Sequence, residues 1–164
     1  MRVTIFTPVS RSSAIGRVSM LVGRALRELG HEVVFICTED LGTVPEDMLP
    51  TPGPVSHWTQ DADVRLILET TDVIVHQVGD NYRFHVGSLE WLDKVGGIVC
   101  LHDFFIGGLF VQWSEQGHQA EADRIMQEWY GKPLEWYYDL ARNGKHISGT
   151  WPEITFGEWV ASKA

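Results

Sequence analysis

Residues 1–37, MRVTIFTPVSRSSAIGRVSMLVGRALRELGHEVVFIC, change hydrophobic period twice, and those two changes set the fold class. Residues 2–7 form a short apolar run rich in β-branched side chains, the pattern of a strand buried on both faces. After the polar loop Thr7–Ser13 the period becomes helical, with Ile15, Val18, Leu21, Val22, Ala25, Leu26 and Leu29 recurring on one face. Ser12 or Ser13 suits the N-cap and Gly30 the C-terminal stop. Val33–Cys37 then reads as a second buried strand. Strand, helix and strand in that order imply a right-handed crossover and a parallel sheet.

The pattern continues outward from this unit. Residues 39–60 are irregular and carry Pro45, Pro50, Pro52 and Pro54, which reads as an excursion over the surface rather than a domain boundary. Residues 61–70 predict a short helix, 73–78 a strand, Gly79-Asp80-Asn81 a turn, 84–92 a helix and 98–101 a further strand. In the last third, Ala122, Ile125, Met126 and Trp129 fit one helical stripe, and Leu134, Tyr137, Tyr138 and Ala141 another. A final helix is expected from near Pro152, with Phe156, Trp159 and Val160 on one side. With 164 residues there is room for one sizeable core and too little chain for two doubly wound domains. The expectation is α/β: one Rossmann-like domain over residues 1–164, a parallel sheet flanked by helices with extra helices at the C-terminal end.

Charge narrows the partners. Thirteen Lys and Arg against 22 Asp and Glu leave a formal net charge of −9, which repels phosphate backbones and excludes a general nucleic-acid binder. There is no polybasic membrane patch, no signal-peptide run and no stretch long enough to span a bilayer. A cytoplasmic location is expected, with peripheral membrane contact left open. Cys37 and Cys100 fall in or near apolar runs and are expected to be buried, reduced thiols. His31, His57, His76, His118 and His146 show no metal-ligand spacing, so neither a zinc site nor another cofactor is expected.

Open parallel sheets bind ligands beyond the carboxyl ends of their strands, so the residues that follow each strand matter most. The first loop brings Arg11, Ser12, Ser13 and Gly16 to the start of a helix, where hydroxyls and free backbone N–H groups suit a phosphate or carboxylate. It carries neither a Gly-x-Gly-x-x-Gly fingerprint nor a P-loop lysine, and a plain capped loop is the alternative. The 73–78 strand delivers Gln77, Gly79 and Asn81, with His85 a turn later; an ordinary turn and a surface histidine are the alternatives. The 98–101 strand delivers His102 and Asp103, an imidazole and carboxylate able to bind a sugar hydroxyl, unless Asp103 caps the following helix. Trp129, Tyr130, Trp136, Tyr137 and Tyr138 are read as core, with sugar stacking the second reading.

Taken together, three segments resemble the N-terminal domain of glycosyltransferase family 4. They are the opening 37 residues, HQVGDNYRFH (residues 76–85) and GGIVCLHDFFIGGL (residues 96–109). The resemblance departs at Ala14, where the family often has glycine, and at Asp80, where it has Asn. It implies one half of a GT-B fold and retaining transfer from a nucleotide-sugar donor to a sugar or glycan acceptor, without a metal. It also implies that His102 touches the donor sugar while Asp103 orients His102 or caps its helix. The first loop would face acceptor and donor phosphate, and Gln77, Asn81 and His85 would line the acceptor wall. The donor-binding domain and its Glu-x7-Glu motif are absent from these 164 residues, so the domain alone is expected to be inactive. Two other readings stay open: a stand-alone nucleotide- or sugar-phosphate-binding module, and an interaction subunit needing a partner chain. A transferase fragment predicts an exposed apolar patch near Trp151, Phe156 and Trp159; a stand-alone module predicts those residues covered.

Overall fold

The computed structural model describes residues 1–40, 42–142 and 151–164, with only the backbone described at 141–142. Ala141 and His146, named above, therefore lie outside the described side chains. The chain divides into two compact units, Met1–Gly79 with Arg83–His102 and Lys163–Ala164, and Asp80–Tyr82 with Asp103–Ser162.

The first unit is α/β and Rossmann-like. Its strands are β1 (Arg2–Thr7), β2 (Glu32–Cys37), β3 (Val55–His57), β4 (Val73–Val78) and β5 (Ile98–Leu101). They form one sheet in the order β3-β2-β1-β4-β5, with every neighbouring pair parallel. Four of the five strands fall where hydrophobic period places them. The fifth, β3, is three residues long, too short for a period of two to register. Pairing with β2 defines it: Phe35 sits opposite Val55, and the Phe35 N–H donates to the Pro54 carbonyl at 2.9 Å.

Alternation along β1 and β2 splits the core between the two faces of the sheet. Val3, Ile5, Val33 and Phe35 lie with Met20 of helix α1 (Ala14–Glu28), whereas Phe6 and Ile36 lie with Val64 of α2 (Asp61–Leu68) and Trp91 of α3 (Tyr82–Val95). Helix α1 reaches the sheet through small residues. Gly16, Ser19, Met20 and Gly23 are its buried positions, while the periodic residues Val18, Leu21, Val22 and Leu29 are exposed. The reason is steric: a Cβ on Gly23 would stand 2.4 Å from the Phe35 ring, so the large strand residue requires a bare helix backbone above it. Gly53 makes a still closer approach, where a Cβ would meet the Val33 carbonyl oxygen at 2.1 Å. Gly53→Ala should therefore push the 50–54 segment off β2 and cost about 1–3 kcal/mol, read as a lower urea midpoint with unchanged slope.

At the edge strand β5, Ile98 and Leu101 are exposed, and so is Cys100, which corrects the expectation of a buried thiol there. Cys37 is buried and both thiols are free. No helix among the described residues is long and apolar enough to cross a membrane.

The second unit is helical: α4 (Gly107–Trp113), a kink over Ser114–His118 where Gln116 and Gly117 leave helical backbone, α5 (Gln119–Tyr130), α6 (Leu134–Arg142) and α7 (Gly157–Ala161). Phe110 and Phe156 stack at 4.0 Å at its centre, ringed by Trp113, Tyr137 and Trp159. Phe156 and Trp159 are 0% and 2% exposed, so the apolar patch expected of a fragment does not form at these two residues. The last helix begins at Gly157 rather than near Pro152, because Phe156 holds a left-handed backbone (φ 59°) that a right-handed helix cannot include.

Candidate functional site

Strands β2 and β3 lie on one side of β1, and β4 and β5 on the other. The chain therefore reverses its direction of build between β1 and β4, and in open α/β sheets ligands bind at that switch, outside the strand carboxyl ends. Because all five strands are parallel, the tips of β1, β4 and β5 share one edge of the sheet.

The tip of β1 meets an anion supplied by the chain itself. Glu39, two residues beyond β2 and 2% exposed, accepts the backbone N–H groups of Val9 (2.9 Å) and Ser10 (3.0 Å). The Cys37 thiol donates to the same carboxylate at 3.2 Å. Burial, with the Glu39 charge beside it, pushes that thiol's pKa far up, so Cys37 stays protonated. Glu39 thus satisfies the Val9 and Ser10 donors of this loop, which precede the start of α1 at Ala14. The other loop residues are committed as well. Ser13 is the N-cap of α1, its Oγ accepting from the Gly16 N–H at 3.0 Å. A Cβ on Gly16 would stand 2.6 Å from the Pro8 carbonyl oxygen, so this glycine serves packing. Arg11 is exposed and paired with Asp47 at 2.7 Å, and Ser12 shares a 3.0 Å hydroxyl contact with Ser10.

The tips of β2 and β3 close over Glu39. The Glu39 carbonyl accepts from the Trp58 indole N–H and faces His57 Nε2, each at 3.0 Å, while the Thr59 N–H points at His57 Nδ1. With Nδ1 accepting, the ring donates through Nε2 and is neutral; burial lowers its pKa. The Thr38 hydroxyl donates to the Phe84 carbonyl (2.6 Å), Asp40 N–H to Arg83 (2.8 Å), and Gly87 N–H to Thr38 (3.0 Å). These bonds stitch the loop into the first turns of α3. Glu39, His57 and Trp58 were not among the sequence candidates. The legible signal was a carboxylate placed directly after an uninterrupted buried strand, where it must find donors.

At the tips of β4 and β5 the polar groups meet each other. His102 Nε2 lies 2.5 Å from Gln77 Oε1, and the His102 N–H continues the sheet by donating to Val78 at 2.9 Å. An amide oxygen only accepts, so the imidazole donates through Nε2. Gln77 is buried and His102 half-buried. Gly79 is buried beside them in sequence, and His85 is buried within α3 rather than on the surface.

Asp103 and Asn81 belong to the second unit, where both are exposed. Asp103 does not cap the next helix: the N-cap of α4 is Ile106, with no side-chain bond. Asp80 takes that role, its Oδ1 accepting the Leu109 N–H at 3.0 Å, while Asp103 Oδ2 accepts the Asp80 N–H at 2.9 Å. Burial raises the Asp80 pKa, an effect the Leu109 and Gly108 N–H groups partly offset.

The chain matches no family model, no curated protein and no solved structure. No cluster of three metal-binding side chains occurs among the described residues. What function there is must be read from the geometry above.

Proposed function

We propose that the chain is the acceptor-side, N-terminal domain of a retaining GT-B glycosyltransferase, taking sugar from a nucleotide-sugar donor held mainly by a second domain. The observation that carries this reading is the His102–Gln77 pair at the carboxyl edge of the sheet, Gln77 in β4 and His102 directly after β5, beside the β1–β4 switch. A buried amide that orients an imidazole suits hydrogen bonding to a sugar hydroxyl. A cytoplasmic location belongs to this proposal.

In the polypeptide that joins this domain to a nucleotide-binding domain, His102→Ala should lower kcat/KM about 10–100-fold with the unfolding midpoint unchanged. That range corresponds to losing one or two hydrogen bonds made to the reacting sugar. Unaltered turnover in that variant would remove His102 from the site.

One observation favours the second reading, a stand-alone module for a nucleotide or sugar phosphate: Phe156 and Trp159 are covered. Calorimetric titration of the isolated chain with a nucleoside diphosphate and with glucose 1-phosphate separates the two. Tight binding of either by the isolated chain supports the module; binding only when the second domain is present supports the transferase.

A further inference from the structure

A cleft of about 230 Å³ opens in the helical unit, where the end of α5 meets the turn that leads into α7. It is lined by Trp129, Tyr130, Lys132, Trp151, Glu153, Ile154 and Glu158. Trp129 is 46% exposed, although it continues the apolar stripe of α5 whose other members, Ala122, Ile125 and Met126, are buried. Trp151 is half-buried. Two indole rings thus stay accessible in a unit that covers most of its other large aromatics.

The polar side of the cleft is held in place. Glu158 Oε2 accepts the Tyr130 hydroxyl at 3.1 Å and the Thr155 hydroxyl at 2.6 Å. Burial alone would raise the Glu158 pKa; the hydrogen bonds from Thr155, its own N–H and Tyr130 outweigh that and hold it below the ordinary carboxyl value. The Tyr130 oxygen in turn accepts the Phe156 N–H at 2.9 Å. Among the described residues Phe156 is the non-glycine residue with a left-handed backbone, and its ring is clamped against Phe110. A strained residue fixed by packing and by a part-buried hydrogen bond is therefore linked through Tyr130 to the carboxylate, an arrangement that recurs where ligands are held.

Charge selects the class of ligand. Lys132 Nζ already lies 5.7 Å from the centre of the Trp151 ring, so a ligand cation would meet a like charge at that ring face. A ligand anion would meet Glu153 and Glu158. A neutral polyol with one apolar face satisfies indole, carboxylates and ammonium together. The volume lies below the roughly 300–1,000 Å³ typical of drug-sized sites and suits one ring rather than several. We propose that this cleft binds a single pyranose ring of a glycan, stacked on Trp129 with a hydroxyl on the remaining oxygen of Glu158. The proposal uses none of the residues of the transfer site and stands whether or not the chain belongs to a transferase.

Saturation-transfer-difference NMR on the 164-residue chain, with methyl glycosides of glucose, galactose, mannose and N-acetylglucosamine as probes, tests it. Transfer to the ring C–H protons of at least one glycoside is expected, with affinity reduced about tenfold or more by Trp129→Ala and by Glu158→Gln. Trp129 is exposed, so its variant should keep the wild-type circular dichroism spectrum and unfolding midpoint. Tetramethylammonium serves as the competing cation. A signal from it with none from the glycosides, no signal from any probe, or glycoside binding that both variants leave intact would each overturn the assignment.

Discussion

Glu39→Ala is expected to lower the thermal midpoint by about 6–20 °C. The substitution strips the acceptor from two backbone N–H groups, buried at Val9 and part-buried at Ser10, and from the Cys37 thiol. Orphaning buried donors that served a charge costs about 3–5 kcal/mol, and in a chain of this size each kcal/mol moves the midpoint by about 2–4 °C. Glu39→Gln keeps the shape but turns an amine toward a backbone donor, so a smaller loss of about 1–3 kcal/mol is expected. The exposed Glu46→Ala should stay within about 0.5 kcal/mol of wild type. The vacated pocket would then be an anion site, and millimolar inorganic phosphate should restore part of the lost midpoint in Glu39→Ala while leaving wild type unmoved. A midpoint unchanged by the alanine substitution would mean that water serves the two amides as well as the carboxylate does.

Acidification from pH 6.5 to about 4 is expected to cost the fold about 3 kcal/mol through His76. This ring is fully buried in β4, stacked on Phe6 at 4.5 Å, with Nε2 3.0 Å from the Gly96 carbonyl. Its Nδ1 has no hydrogen-bond partner among the described residues, so a second proton would be buried without an acceptor. Burial lowers its pKa from 6.5 to about 4, only partly offset by the Gly96 bond. Between those values the unfolded chain binds the proton and the native chain does not, so stability falls as pH falls. It is complete above pH 6.5, and each pKa unit corresponds to about 1.36 kcal/mol. His57, also lowered by burial, adds in the same direction. Asp61, lowered from 3.8, acts below this window, and Glu158, lowered from 4.5, adds to the loss only at its acid end. Urea midpoints measured from pH 7.5 to 4 should therefore decline less steeply for His76→Gln, whose amide can still donate to Gly96. Parallel declines in variant and wild type would place the acid sensitivity elsewhere.

Much of the frame was readable in advance, and the residues that were not share one trait. Ser13 as N-cap, Gly30 after α1 and the buried runs of β1, β2 and β4 depend on neighbours within a few positions. The roles of Glu39 and Asp80 depend on partners about 30 residues away, and nothing local distinguishes a capping aspartate at position 80 from one at position 103. The candidate site divides in the same way. His102 and Gln77 could be placed at strand ends from the hydrophobic pattern, but that they bond each other required β5 to pair with β4 in register, Gln77 opposite Cys100. Burial of Phe156 likewise awaited Phe110, 46 positions earlier.

The α/β class, the parallel crossover and four of the five strands follow from hydrophobic period alone, because a strand buried on both faces and a one-sided helix leave different spacings in the chain. Which face of α1 meets the sheet was decided by tertiary packing. Val18, Leu21 and Val22 mark the outward side, and the glycines that share the buried side with Met20 gain their meaning only when Phe35 arrives beneath. The same holds at the tip of β1, where backbone amides advertise a place for an anion and the folded chain fills it with its own carboxylate. Local periodicity reports what a segment can bury; close packing between distant segments settles what it does bury.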